Sequence, residues 1–429
     1  MLTSQSHKST ITTLAGVVGN TLEWYDFLLY AYFAPIIAPL FFPAKTYFLS
    51  LLMTFSVFAL GFLVRPLGAL VIGRWGDVYG RRKTLIFTIS LMTLPTVAIG
   101  ILPEHATIGV AAPILLTLIR CVQGFAVSGE FTSSGSFLIE HSHPSRRGFS
   151  GSLIYAGAFV GIVLGAAIAT LQTEFMPPEL LKAWGWRIPF LLAGVFGLIG
   201  LALRLMALES PHFKAIKHQA SSPIKQIFQH HRASLLRAIG LTIAMGIGNY
   251  FLIGYFTTYL TSPGGLLLKQ AMLINVLSMI VFIFATPFFG FLSDKLGRKP
   301  VFLTGSALFF LCQLPVFWLL SHKTFYYALG AEILFVILLA SIDGLVLTCL
   351  AELFPTEVRN TGAALGYNIS ITIFGGTAPL VALSLARLAH NDLAPAWYLM
   401  GGAALSFITM LLCQETYRKP LLSGIELTS

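Results

Sequence analysis

Charged side chains set inside long apolar runs are the residues of this sequence with chemistry to do. Glu23 and Asp26 stand three apart in the first apolar run, and Asn20 lies three before Glu23. If that run is helical, the three share one face. Arg65, followed by Pro66, lies in the second run, Arg120 and Glu130 in the fourth, and Glu332 and Asp343 in the tenth. Each such charge costs roughly 2.5–3.5 kcal/mol at a bilayer centre, so it persists where it faces a cavity or a partner. Buried acids suit proton carriage. A guanidinium suits bidentate capture of a solute carboxylate, the reading given to Arg65; the alternatives are pairing with a nearby acid or a place near the membrane surface. Asn20, Glu23, Tyr25, Arg65, Glu130, Asn249, Tyr250, Tyr367 and Asn368 form the candidate solute-binding set. Each amide or phenol among them is otherwise a helix-packing group. Trp24 and Tyr25 beside two acids suit an amine by cation–π contact, although packing is the better reading of Trp24.

The elements that must hold these groups follow from composition. Hydrophobic residues make up 56% of the 429 and charged residues 10%, with mean hydropathy +0.81. A soluble domain carries about 25% charged residues, which excludes a soluble enzyme, a disulfide scaffold and a disordered regulator. Apolar runs fall at about 12–41, 49–74, 84–103, 107–141, 149–172 and 184–208, and again at 235–261, 267–294, 299–321, 325–354, 361–390 and 394–415. Runs of this length read as membrane-spanning helices. The expected fold is therefore all-α, with twelve transmembrane helices in two six-helix bundles, 1–208 and 235–429, joined by a partly helical connector over 209–234. No cleavage site of small residues follows a short apolar core, so the first run is read as a span.

The net charge of +10 sits in short loops and not in a nucleic-acid-binding patch. Most lysines and arginines fall on the side that also holds both termini, including Arg74, Arg81, Arg82, Lys83, Arg146, Arg147, Lys214, Lys217, Lys225, Lys295, Arg298 and Lys299. That side is expected to be cytoplasmic. Cys121, Cys312, Cys349 and Cys413 lie in apolar stretches without metal-ligand spacing, and no disulfide is expected. His141, His143, His230 and His231 read as caps and loop residues, not metal ligands. No cofactor and no metal are expected. No phosphate-binding G-x-x-x-x-G-K-[ST] occurs, so nothing points to ATP-driven transport.

The halves repeat. Gly73, Asp77, Gly80 and Arg81 recur as Gly290, Asp294, Gly297 and Arg298, each 217 residues on. Glu140 is followed seven residues later by Arg147, and Glu352 seven later by Arg359. Duplicated halves are how many secondary transporters are built, with a site between them near the membrane midplane. Asp77 and Asp294 suit helix N-termini. Arg81, Arg82, Arg298 and Lys299 suit bridges between helices.

The doubled G-x-x-x-D-x-x-G-R-[RK] loop resembles the major facilitator superfamily. Gly19-Asn-Thr-Leu-Glu-Trp-Tyr-Asp-Phe27, Val64-Arg-Pro-Leu-Gly68, Arg120-Cys-Val-Gln-Gly-Phe-Ala-Val-Ser-Gly-Glu130, Trp184-Gly-Trp-Arg-Ile-Pro-Phe190 and Glu352-Leu-Phe-Pro-Thr-Glu-Val-Arg-Asn-Thr-Gly362 resemble the metabolite:proton symporters within it, the transporters of proline/betaine, α-ketoglutarate, citrate and shikimate. Ser128 stands where that family usually has glycine, which is expected to loosen packing there. Only about a dozen polar residues follow the last run, without heptads, so coiled-coil osmoregulation of the betaine-transporter kind is not expected. The fifth run lacks the G-P-x-x-G element of many drug antiporters, which favours uptake.

The resemblance implies proton-coupled uptake of a small organic solute, such as an organic acid, amino acid or betaine, by a chain working as a monomer in the bacterial inner membrane. It implies a latch on the inner gate from Gly73, Asp77, Gly80, Arg81, Arg82, Glu140 and Arg147 with Asp294, Gly297, Arg298, Glu352 and Arg359. It also implies that Asp26 pairs with Arg120 and carries the coupling proton, with a structural pair, or Glu23 as carrier, the alternatives. Desolvation and a nearby cation push such a carboxylate in opposite senses. A passive facilitator or exporter is the other reading within the fold. A membrane enzyme is disfavoured, because no nucleophile and base converge at one depth, and a receptor, because the connector over 209–234 is too short for a signalling domain.

Overall fold

The computed structural model describes residues 2–215, 222–262 and 265–422, with side chains from residue 11 onward. Lys217 lies outside them. Twelve long helices are found among the described residues: α1 Leu2–Tyr32, α2 Tyr47–Tyr79, α3 Arg81–Ile101, α4 Ala111–His141, α5 Arg147–Phe175, α6 Ile188–Met206, α7 Arg232–Tyr250, α8 Leu268–Leu296, α9 Arg298–Ser321, α10 Phe325–Leu353, α11 Arg359–Ser370 and α12 Pro395–Leu411. Ten segments are long and apolar enough to cross a membrane. An eleventh is the bent pair Ile11–Tyr32 and Ala34–Phe41, and α12 is a shorter apolar helix. Large apolar side chains such as Leu63, Leu67, Leu198 and Phe284 are exposed around the outside. Water would not tolerate such a belt, and lipid does.

The expected first span, 12–41, is broken. The chain turns through 61° between Tyr32 and Ala34. Pro35 supplies no amide donor and its ring excludes the preceding turn from a continuous helix. Two other helices change gauge without stopping. α7 continues through a widened turn at Phe251–Tyr255 into Phe256–Leu260, and α11 through another at Ile371–Gly375, before Ala378–Leu388. Widened turns of this kind concentrate at functional sites. The connector holds two short helices, Pro211–Ala215 and Pro223–His230.

The two bundles meet along α2 against α11 and α5 against α8. Both contacts depend on missing side chains. A Cβ on Gly73 would lie 2.8 Å from the Thr361 Cα, and one on Gly290 2.6 Å from the Gly148 carbonyl oxygen. Gly290→Ala should therefore overpack the α5–α8 contact at a cost of about 1–3 kcal/mol. A lowered melting temperature in detergent checks this, and an unchanged one contradicts the close approach. Ser128 does not loosen its surroundings. It is fully buried against Gly68, and its hydroxyl donates to the Phe125 carbonyl at 2.7 Å.

Candidate functional site

At the end of the molecule carrying the doubled loops, the two bundles are tied by buried ions. Gly80 and Gly297 take φ of +103° and +105°, a backbone region that suits glycine, and so turn α2 into α3 and α8 into α9. The turns place Asp77 and Asp294 over helix starts in the opposite bundle. Asp77 accepts from the Asn360 and Thr361 amides at 3.1 and 2.9 Å and from the Thr361 hydroxyl at 2.7 Å. Asp294 accepts from the Gly148 and Phe149 amides, both at 2.8 Å. Free N–H groups and the helix dipole favour a carboxylate at each place.

The glutamates cross over. Glu140 pairs with Arg81 at 3.1 Å and with Arg359 of the other half at 2.7 Å. Glu352 pairs with Arg298 at 3.5 Å and with Arg147 of the other half at 3.9 Å. Each echo thus supplies the anion for its counterpart's arginine. Arg82 does not join this layer. Its guanidinium caps the end of α6 through the Arg204 and Leu205 carbonyls, as Lys299 caps the end of α12 through the Leu411 and Cys413 carbonyls. The expected bridges between helices are, for these two residues, helix C-caps within one bundle.

Sequence reasoning missed the supports of this layer. Glu209 accepts from the Arg81 and Arg82 amides, and Glu415 from the Arg298 and Lys299 amides. Ser210 donates to Glu140, and Thr416 to Glu352. The signal was present as Glu-Ser after the sixth apolar run and Glu-Thr after the twelfth. The segment beyond Thr416 also spans the layer. The Lys419 carbonyl accepts from Arg147 at 2.7 Å, and the Leu422 carbonyl from the Thr356 amide at 3.0 Å and from Arg359 at 3.2 Å. His212, in the short helix after α6, is held below the usual histidine range, chiefly by burial.

Deeper in the membrane region, the first-bundle charges divide into a tied set and a free set. Glu130 is held by Arg204, by the Thr88 hydroxyl and by Ser134 at 2.8 Å. It is therefore tied to α3, α4 and α6 in this state. Asn20 donates to the Ile154 carbonyl at 2.7 Å, and the Tyr25 hydroxyl to the Pro189 carbonyl at 3.2 Å. Both are helix-packing bonds inside one bundle. Asn368 donates to the Ser128 carbonyl at 2.6 Å and so ties α11 to α4.

The expected pair of Asp26 with Arg120 is not formed among the described residues. Arg120 donates to Gln123 at 2.7 Å and sits over the rings of Tyr30, Phe27 and Phe58 at 4.5, 4.9 and 5.1 Å. Three aromatic faces take the place of the carboxylate. Asp26 lies beside Thr96, and one of its oxygens has no donor. Neither oxygen of Glu23 has one. Glu23, Asp26, Glu130 and Arg204 line a small pocket in the first bundle, with a cavity volume of about 10 Å³.

A second cavity lies between the bundles. Its walls include Trp24, Tyr155, Phe159, Asn249, Tyr250 and Tyr367. Phe131 backs it, with ring centroids 5.0 Å from both Tyr155 and Tyr367. Tyr250 accepts from Arg65 at 3.3 Å. Arg65 is buried, makes no ion pair among the described residues, and lies over Phe62 at 4.8 Å and Phe27 at 5.3 Å. The volume is about 20 Å³, room for a water but not for an organic solute. Trp24, read from sequence as packing, is part of the wall. Tyr155 was not singled out, since a lone tyrosine in an apolar run carries no spacing signal.

Among the described residues, no group of three or more His, Cys, Asp or Glu is placed to hold a metal ion. Residues 24–379 and 242–422 match the family model of the Major Facilitator Superfamily. The glycine betaine/proline/ectoine/pipecolic acid transporter OusA of Dickeya dadantii is 36% identical over 95% of this chain and 83% of its own length. The proline/betaine transporter of Salmonella typhimurium is 36% identical over 95% and 84%. The ectoine/proline transporter ProP of Corynebacterium glutamicum is 34% identical over 95% and 84%. In fold the chain resembles the proton:xylose symporter XylE bound to 6-bromo-6-deoxy-D-glucose, with TM-score 0.83 at 17% identity over 99% of this chain and 100% of that one. The chain therefore belongs to the Major Facilitator Superfamily, as a multi-pass membrane transporter and not an enzyme.

Proposed function

We propose that this chain is a secondary active transporter that takes up a small zwitterionic solute together with protons by alternating access. Relatives named for proline, glycine betaine and ectoine support the solute class. The observation that carries the reading is the cavity between bundles, walled by aromatic rings and flanked by the unpaired Arg65. Arg65 and Tyr250 receive the carboxylate, Trp24, Tyr155 and Tyr367 face the rest of the solute, and Asn249 orients it. Glu23 and Asp26 carry the proton. They are buried acids without cationic hydrogen-bond partners, so solvent or solute access changes their charge at low structural cost. Arg120 supports that site through the aromatic layer and not by direct pairing.

The bundles are 1–208 and 235–429, joined by 209–234, and the chain acts as a monomer in a bacterial inner membrane. The arginine-rich end and both termini face the cytoplasm, so the ionic layer is the inner gate. A passive facilitator would not need two buried acids without ion pairs at membrane depth.

The test is uptake by purified protein in liposomes. The wild type should accumulate labelled proline or glycine betaine when the outside is acidic, and should lose accumulation when the pH difference is collapsed. Asp26→Asn and Glu23→Gln are expected to abolish accumulation in at least one case while solute exchange continues. Full gradient-driven accumulation in both variants would remove these acids from the proton path.

A further inference from the structure

We propose that Asp343, on α10, recognises the cationic end of the solute, so that cargo lies across the bundle interface with its carboxylate toward Arg65 and its ammonium toward Asp343. This rests on the zwitterion reading above and names the residue in the second bundle that completes it.

Asp343 is 1% exposed and makes no ion pair among the described residues. One oxygen accepts from the Asn249 side-chain amide at 2.8 Å, and the other has no donor. The same amide nitrogen lies 3.3 Å from the Tyr155 hydroxyl. Asn249 and Tyr155 are both cavity-wall residues, so the carboxylate stands directly behind the wall. The next residue on α7, Tyr250, is the one bonded to Arg65. Consecutive side chains of α7 thus lead to a carboxyl group with one open oxygen and to a guanidinium that makes no ion pair among the described residues, both next to one cavity. Tyr367 lies in the field of both Arg65 and Asp343.

When ionised, each of these buried groups is costly without a counterion. They are too far separated to neutralise each other directly, since no ion pair joins them. A ligand carrying both complementary charges relieves both costs at once, and a simple carboxylate or a simple cation relieves only one. The rings of Trp24, Tyr155 and Tyr367 in the cavity wall suit a substituted ammonium, which is attracted to aromatic faces and has few or no N–H groups to satisfy. Asn249 holds one carboxylate oxygen in place and leaves the other available. The widened turn that begins at Phe251 follows directly after these residues, so the helix gauge changes where the wall must part to admit cargo.

Asp343→Asn and Asp343→Glu would be compared with the wild type in liposomes, by exchange of labelled proline without a pH gradient, with glycine betaine, choline and butyrate as competitors. Asp343→Asn is expected to raise KM for proline and the inhibition constant of glycine betaine by about 10- to 100-fold, the scale of a lost charge-assisted contact. Butyrate, which lacks the ammonium, should compete equally against both proteins. Asp343→Glu keeps the charge but moves it by one methylene. It is expected to recover most affinity while changing the ratio of glycine betaine to proline affinity, which also guards against a variant that fails to fold. Unchanged zwitterion affinity in Asp343→Asn overturns the proposal, as does an equal loss for butyrate. So does a variant that binds normally and loses only gradient-driven accumulation, which would make Asp343 a proton carrier. If the wild type exchanges neither proline nor glycine betaine, the zwitterion reading itself falls, and this proposal falls with it.

Discussion

Glu140→Gln should release the ionic layer. The glutamate neutralises two guanidiniums from opposite bundles, Arg81 and Arg359, and all three side chains are fully buried. Removing the anion leaves Arg359 without an ion pair and Arg81 with Asp77 alone, at 3.3 Å, and breaking a buried pair in this way costs about 3–5 kcal/mol. The cost falls on the closed state, because the guanidiniums regain water when the layer parts. A penalty of that size shifts an open–closed equilibrium by a factor of about a thousand. Cys349 supplies the readout, since it is buried close to Glu352 and Arg298. In protein with the other three cysteines replaced by serine, maleimide labelling of Cys349 is expected to accelerate at least tenfold in Glu140→Gln. A melting curve in detergent separates gate opening from global unfolding. An unchanged labelling rate would mean that the cross-over pairs merely decorate a contact held by packing, and the latch reading would be lost.

Arg65→Gln is the second large effect. Among the described residues Arg65 makes one side-chain hydrogen bond, to Tyr250, and no ion pair, so its replacement breaks little that holds the fold. A charge-assisted hydrogen bond is worth about 1.5–3 kcal/mol, so loss of a solute carboxylate contact corresponds to a KM about 10- to 100-fold higher. Arg65→Lys is expected to recover only part, because an ammonium cannot present the planar fork. The melting temperature should move little in both. If Arg65→Gln instead lowered stability strongly and left KM unchanged, Arg65 would be a structural cation held by the Phe62 and Phe27 rings.

The gate and the cavity differ in how far the amino-acid sequence announces them. Asp77 and Asp294 were legible because glycine, acid, glycine and arginine recur at one offset, and only a turn into a helix needs that spacing. That Glu140 would seek Arg359 and not Arg147 was not legible. Both arginines follow the motif equally in the chain, and the choice depends on which bundle faces which. Asp26 and Arg120 show the opposite failure. Opposite charges in neighbouring spans invite pairing, yet three aromatic rings from α1 and α2 close around the guanidinium, and no sequence spacing records that enclosure. Glu130 misled for the same reason. Its partner Arg204 lies in α6, whose last turn looks from the chain like an ordinary basic end of a span.

The chain's apolar runs, sparse charge and doubled loops settle by themselves that it crosses a membrane repeatedly as two related bundles, because twenty-residue apolar segments have no other low-energy solvent and a repeat with charged turns has few other uses. Which buried charges are tied up in ion pairs and which are left without one was decided only by tertiary structure. A charge's role depends on what desolvates and neutralises it, and those neighbours arrive from helices far apart in the chain: α6 for Glu130, α7 for Arg65 and Asp343, and α11 for Asp77.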